Sequence, residues 1–254
     1  MSEENRKTLG VYDKTASKYL SNSIEHDALD PEKAKRKDMN LKVFFGKTFS
    51  PLRERAKIFE IGSGDGATAQ HLERIGFDVT ASDVADDFIK KTAEKGVRTI
   101  KFNALTDEFP DKYDGILAWR VLVHFTPEDF EQLLKKVYDA LEPYGRFAFN
   151  MMNREIRSVD SEWVDFPGEY HMGVERYYCY YREEDVREMI AKTKFRIIDF
   201  HKEGGDHFNK WLVFVLEKWN LPGKTGRFLL YWRRNEERQS RIKKIHRRFH
   251  FPGV

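Results

Sequence analysis

The chain has 254 residues, with 45 Lys and Arg against 42 Asp and Glu, and 14% of its residues are aromatic. That aromatic content excludes a disordered chain, and the longest strongly apolar run, Trp211 to Leu216, is far short of the roughly 20 residues of a membrane-spanning helix. The one cysteine, Cys179, excludes an internal disulfide and a cysteine-based zinc cluster.

Residues 1–50 read as helical. Val11, Ala16, Tyr19 and Leu20 recur at helical spacing, as do Leu41, Phe44 and Phe45. Asp30 and Pro31 give an N-cap followed by proline at the first helical position, and Pro51 closes the region. No apolar stretch follows Met1, so no secretory leader is expected and the cytoplasm is the expected address. From Lys57 the pattern alternates. Strands are predicted at 58–61, 77–81, 97–102 and 113–119, with helices at 67–75 and 86–95 between them. Thr126, Pro127, Glu128 and Asp129 mark a strong helix start: a capping hydroxyl, a proline at N1 and acids in the first turn. That helix runs to Leu141, and Pro143, Tyr144 and Gly145 turn it into a strand at 146–151. A helix at 182–192 precedes strands at 195–201 and 211–217. These last two have no helix between them and should form an antiparallel edge pair. Such alternation predicts a mostly parallel sheet covered by helices.

Chemistry concentrates after the first strand. Glu60, Ile61, Gly62, Ser63, Gly64, Asp65 and Gly66 lie between a strand and a helix. Glycine permits a tight turn and close backbone approach, and the helix N-terminus offers free N–H groups to an anionic ligand group. Asp83 follows at the end of the second strand, where a nucleoside-binding sheet places a carboxylate on ribose hydroxyls. The spacing Gly62, Gly64, Gly66 differs from the usual dinucleotide pattern.

This segment resembles the first motif of class I S-adenosylmethionine (SAM)-dependent methyltransferases of the small-molecule type. The resemblance runs from Lys57 to Asn150 and more faintly to Lys218. It implies a Rossmann-like, seven-stranded, mostly parallel sheet with an antiparallel last strand, helices on both faces, and SAM as cofactor. It assigns Gly62, Ser63, Gly64 and Gly66 to the turn that passes the methionine part, and Asp83 with Val84 to the ribose. Glu60 corresponds to the acid that supports the loop and the cofactor's ammonium. Asn103 and Ala104 stand where the family commonly has Asp-Ala at the adenine amine. Asn is a departure, but its carbonyl can still accept. Trp119 and Arg120 begin the segment after strand four that covers the cofactor. Leu141, Pro143 and Gly145 resemble a Leu-x-Pro-Gly-Gly turn, with Tyr144 replacing the first glycine. Tyr12 and Tyr19, within Val11, Tyr12, Asp13, Ala16 and Tyr19, look like a lid helix closing over SAM. No metal is expected.

His124 is the candidate general base, with an unperturbed pKa of about 6.5; the competing reading is a histidine that holds its loop by hydrogen bonds. Segment 163–181 holds Trp163, Phe166 and five tyrosines, along with His171 and Arg176. Its His171, Tyr177, Tyr178 and Tyr181 are candidate acceptor-binding residues, able to stack on a ring or hold a cationic amine. The competing reading is an aromatic strand packed on the sheet, with Tyr178 and Tyr180 on one face. Gly204 to His207 form a rim loop or a plain hairpin turn.

The net charge of +3 hides an asymmetry: residues 218–254 carry +9 and residues 1–217 carry −6. Three units are expected: a helical lid at 1–50, a SAM-binding core at 51–218 with an aromatic insertion at 153–181, and a basic C-terminal helical arm at 219–254. The arm, with Phe228, Tyr231, Trp232, Ile242, Ile245 and Phe249 near one face, has three readings. It docks on the acidic body or its mate in a homodimer, lies on an anionic membrane surface at the inner face, or holds RNA. Function divides likewise. The first reading is methyl transfer to O or N of a small-molecule acceptor, including a sugar or lipid-linked one. The second is RNA or tRNA methylation using the arm, and the third is a non-enzymatic SAM-binding module.

Overall fold

In the computed structural model, residues 1–29, 32, 43–50, 52, 55–166, 171–205 and 208–219 are described. The Asp30–Pro31 cap, Leu41, Pro51, Tyr170, Asp206, His207 and the basic arm beyond Trp219 lie outside them. Elements follow in chain order. Helix α1 (Glu3–Leu29) and helix α2 (residues 43–49) precede β1 (Lys57–Ile61), α3 (Ala67–Arg74), β2 (Asp78–Asp83), α4 (Asp86–Glu94), β3 (Arg98–Lys101) and β4 (Tyr113–Ala118). A 3-10 turn at Leu122–His124 leads to α5 (Pro127–Ala140) and β5 (Leu141–Asn153). Then come β6 (Ser161–Val164), β7 (Arg176–Tyr181), α6 (Glu183–Ala191), β8 (Phe195–Gly205) and β9 (Phe208–Lys218).

Strands β3, β2, β1, β4 and β5 pair in that order, all parallel. β9 runs antiparallel to β5, and β8 antiparallel to β9, so the expected seven-stranded series with one antiparallel member is present. The sheet nevertheless has nine strands, which corrects the expected count. The extra two are β6 and β7, an antiparallel pair inside the aromatic insertion. They attach because β5 extends past its last pairing with β4 at Phe149, and Met152 and Asn153 pair in parallel with Tyr180 and Tyr181 while Met152 still pairs with Trp211 of β9 on the other edge.

β5 also begins earlier than the sequence predicts. Leu141 already pairs with Tyr113, and the Pro143–Gly145 turn becomes a register shift inside the strand, with Tyr144 at φ 64°. A Cβ at Gly145 would meet the Glu142 carbonyl oxygen at 2.9 Å and the Asp114 carbonyl oxygen at 3.0 Å, so only glycine passes there.

Both faces of the sheet are buried, which is why its central strands read as near-continuous apolar runs. On one face Phe59, Phe147, Phe149, Phe214 and Leu216 pack with Phe130, Leu133, Leu134 and Val137 of α5 and Val186, Met189 and Ile190 of α6. On the other, Ile58, Val79, Leu117, Ala148, Val213 and Val215 pack with Phe45 and Phe49 of α2 and Ala69 and Leu72 of α3. The predicted start of α5 is built as read: the Thr126 hydroxyl accepts from the Asp129 N–H at 3.2 Å. Among the described residues no helix is long and apolar enough to cross a membrane.

Candidate active site

The carboxyl ends of β1, β2 and β4 and the helix α1 enclose a cavity of about 340 Å³. Its floor is the glycine turn. Gly62, Gly64 and Gly66 all have positive φ, at 67°, 54° and 73°. At Gly62 and Gly66 packing adds a second constraint, because a Cβ would come within 2.8 Å of Val121 and 2.6 Å of Thr92. At Gly64 nothing lies within 4 Å of such a Cβ, so its backbone faces open space. Ser63 lines the cavity, and its hydroxyl is buried without a hydrogen-bond partner.

Asp83 ends β2 on the same cavity. One carboxylate oxygen accepts from the Gly64 N–H at 3.0 Å, and the other from Val84 and Ala85 at 2.8 and 3.2 Å. Burial raises its pKa and these three backbone donors oppose the rise. Glu60 lies deeper, 3% exposed, one of its oxygens without a partner. Burial first, then the charges of Asp65 and Asp83, push its pKa up to about 8.

Asn103 and Ala104 line the cavity beyond β3. The Asn103 side-chain oxygen accepts from the Leu105 N–H at 3.0 Å, closing a local turn. Trp119 and Arg120 line the opposite side. The Trp119 indole packs on Phe44 and Phe45, and its N–H is buried without a partner. Arg120 sits at φ 60°, its N–H donating to the Asn150 side-chain oxygen at 2.7 Å, its guanidinium over the Trp211 ring.

Helix α1 forms the roof through Asn5, Leu9, Tyr12, Tyr19, Leu20 and Ser23. Tyr12 and Tyr19 pack with Phe88 of α4, around Ala16 and Ala85. The Tyr12 hydroxyl meets His124 Nε2 at 2.9 Å, and Arg176 donates to it at 3.1 Å. His124 Nδ1 lies 2.7 Å from the Tyr177 carbonyl, which can only accept. Nδ1 therefore carries the proton, and Nε2 accepts from Tyr12. Burial, with the nearby Arg176 charge, lowers the His124 pKa to about 4 against the Tyr177 bond that opposes it, so the ring is neutral at pH 7.

Every residue read from the sequence at the cofactor position except Glu60 and Gly66 contributes to the cavity lining. Those two lie just behind it: Glu60 under the turn, Gly66 at the start of α3. The acceptor-binding candidates fall elsewhere. Tyr177 and Tyr181 belong to the core on the α5 face, and the Tyr181 hydroxyl donates to the Phe125 carbonyl at 2.7 Å. Tyr178 packs with Val123, Met152 and Tyr180 and meets the His124 ring at 4.7 Å between centroids. His171 is an exposed side chain 3.0 Å from Asp165. β7 is buried along its whole length, with Tyr177, Cys179 and Tyr181 in the core on the α5 face and Tyr178 and Tyr180 against Val123 and Met152, so this aromatic run packs as a strand. Sequence reading missed Asn5 and Leu9, and noted Arg176 without giving it a role. Arg176, 0% exposed, carries no spacing signal, because its partner Tyr12 is 164 residues away.

The cavity suits a nucleoside cofactor with an amino-acid tail. It offers an open glycine backbone, a strand-end carboxylate and unpartnered buried donors at Ser63 and Trp119. Comparison with known proteins agrees. A methyltransferase domain family matches residues 35–199. L-tyrosine C(3)-methyltransferase of Streptomyces lavendulae is 34% identical over 162 residues, 57% of this chain and 44% of that protein. A ubiquinone biosynthesis O-methyltransferase of Idiomarina loihiensis is 26% identical over 110 residues, 40% of this chain and 44% of that one. The match thus spans less than half the length of either relative. A solved S-adenosylmethionine-dependent methyltransferase from Clostridium acetobutylicum shares the fold with a TM-score of 0.61 at 14% identity, over 80% of this chain and 99% of that one. The family match covers well over half of the chain, and with the sheet order and the glycine turn it places this protein in the methyltransferase domain family, of the class I SAM-dependent kind.

Proposed function

We propose that this chain methylates an oxygen or nitrogen of a small-molecule acceptor, sugars and lipid-linked molecules included. SAM, when bound, supplies a sulfonium-activated methyl group. The protein's share is to hold the cofactor, align the acceptor behind the methyl and exclude water. Ser63, Gly64, Asp83 and Trp119 are the groups we assign to holding it. The observation that carries a small acceptor is the roof: α1 contributes Leu9, Tyr12, Tyr19, Leu20 and Ser23 to the cavity, and a polymer would have to displace it. The two curated relatives support the acceptor class, being named for a tyrosine carbon and for an O-methylation in ubiquinone biosynthesis.

In this reading His124 acts through Tyr12. Both of its ring nitrogens are engaged, so it holds the lid hydroxyl in place and is a positioning residue. The lid at 1–50 and the core at 51–218 then work as one site, and the basic arm at 219–254 sets location or partner. RNA methylation is the second reading, favoured by the +9 of residues 218–254.

Calorimetry with SAM and its demethylated product S-adenosylhomocysteine (SAH) tests the site, and absence of binding to both would sink the proposal. A methyl-transfer screen of metabolite extracts, read by mass with and without RNase, tests the acceptor. New methylated small molecules insensitive to RNase are expected; label that vanishes with RNase treatment would transfer the reading to RNA.

A further inference from the structure

Asn5 holds an unclaimed acceptor inside the cavity. Its side chain is 1% exposed and lines the cavity from α1. Its Nδ2 donates to the His124 carbonyl oxygen at 3.2 Å. A carbonyl can only accept, so the amide's nitrogen is fixed on that side and Oδ1 must face the other way. That Oδ1 is buried and has no partner. A buried amide oxygen left without a donor costs free energy, so the arrangement is built for a donor that arrives with a ligand.

The surroundings say which donor. A nucleoside held by Asp83 at the end of β2 lays its ribose there. The neighbouring strand end, that of β3, lies beside the start of α1, where Asn103 Nδ2 meets Met1 Sδ at 3.5 Å. The cavity wall in that direction is apolar: Val84, Phe102, Ala104 and Phe125. The Asn103 side-chain oxygen is held by the Leu105 N–H, whereas that of Asn5 has no partner. A flat base in this slot would find in Asn5 Oδ1 a buried side-chain acceptor with no partner.

We infer that Asn5 Oδ1 accepts a hydrogen bond from the exocyclic amine of the cofactor's adenine, and so selects a 6-amino purine over a 6-oxo purine. The inference rests on the SAM-binding reading above. It moves base recognition from the strand-three end, where Asn103 stands, to the lid helix.

The test compares SAH with its hypoxanthine counterpart, S-inosylhomocysteine, by calorimetry on the full chain. The unaltered protein should prefer SAH by at least about a hundredfold, since a 6-oxo group would set two acceptors against each other. Asn5→Ala should shrink that preference about tenfold or more. Asn5→Asp, which keeps an oxygen in place, should retain most of it. Thermal melting of each variant separates loss of recognition from loss of the α1 anchor. A preference ratio unchanged in a folded Asn5→Ala would overturn the inference and leave SAM binding intact. Failure of the unaltered protein to bind SAH at all would instead overturn the reading on which it rests.

Discussion

Glu60 shows how burial couples folding to pH at the level of one side chain. Its carboxyl ionises near pH 8 in the folded protein, against 4.5 for an unperturbed one. The folded state therefore binds a proton that the unfolded state releases, and stability falls as pH rises from about 4.5 through about 8. Glu60→Gln should flatten that fall in the cofactor-free protein, seen as a higher melting temperature at pH 8.5. On the proposal that Glu60 supports the cofactor's ammonium, the same change should weaken SAH binding about tenfold, because a cationic ammonium gains from a carboxylate and not from an amide. Binding at pH 7 should release about one proton from the unaltered protein and far less from Glu60→Gln, measured in buffers of different ionisation enthalpy. His124 gives the opposite case. Its folded pKa, about 4, lies below the unfolded 6.5, so the unfolded chain binds the extra proton in that window. Stability is then lost as pH falls from about 6.5 to 4, by about 3 kcal/mol from this group. A folded His124→Gln should lose less stability between those pH values in urea titrations. The kcat/KM profile should show no His124 limb near 6.5; such a limb, abolished by His124→Gln, would restore the general-base role.

Helix α1 is held mainly by polar contacts. The Thr8 hydroxyl accepts from the Tyr177 N–H at 3.0 Å, Asn5 donates to the His124 carbonyl oxygen, Tyr12 bridges His124 and Arg176, and Lys18 donates to the Met172 carbonyl at 2.9 Å. Its buried apolar contribution is small, centred on Ala16 against Ala85 and Phe88. An element attached this way opens at lower free energy than the sheet. Amides of α1 should therefore exchange faster than those of β1, β4 and β5, and saturating SAH should slow them at least about tenfold; equal exchange with and without SAH would show that α1 is not a lid. Tyr12→Phe should raise the SAM KM more than it lowers kcat, since it leaves the Arg176 donor and the His124 acceptor without their shared hydroxyl. The two tyrosines were legible from the family resemblance, and the helix from the spacing of Val11, Ala16, Tyr19 and Leu20. So were the glycine turn, whose backbone angles few other residues adopt, and Asp83, whose position follows from strand length. Asn5 and Arg176 were not legible, because their meaning comes from groups more than a hundred residues away. The aromatic insertion was half legible. Alternation put Tyr178 and Tyr180 on one face, but it could not reveal that β5 runs on past β4 and gives β7 an edge to pair with.

At the scale of the whole chain, charge is divided between a body and an arm. Residues 220–254 carry a net +8, leaving −5 on residues 1–219. The division falls where the sheet is complete: β9 ends at Lys218, and Trp219 is tied in by the Arg196 guanidinium over its ring at 4.5 Å and by its carbonyl accepting from the Tyr138 hydroxyl at 3.3 Å. All described residues that line the cavity are numbered 125 or below. A chain ending at Trp219 should thus keep its fold and bind SAH within about twofold of the full chain. Its association with polyanions should differ sharply. Eight net positive charges on 35 residues give a salt-dependent attraction to phosphate-rich surfaces, while an acidic body is repelled by them. The full chain should sediment with phosphatidylserine vesicles or shift RNA in gels at 50 mM salt and release by about 300 mM, and the 1–219 chain should do neither. Vesicle binding without RNA binding would locate the enzyme at a membrane and favour a lipid-linked acceptor. Binding to neither by the full chain would mean that the arm's charge is already neutralised within the protein, on its own acidic body or on a second copy.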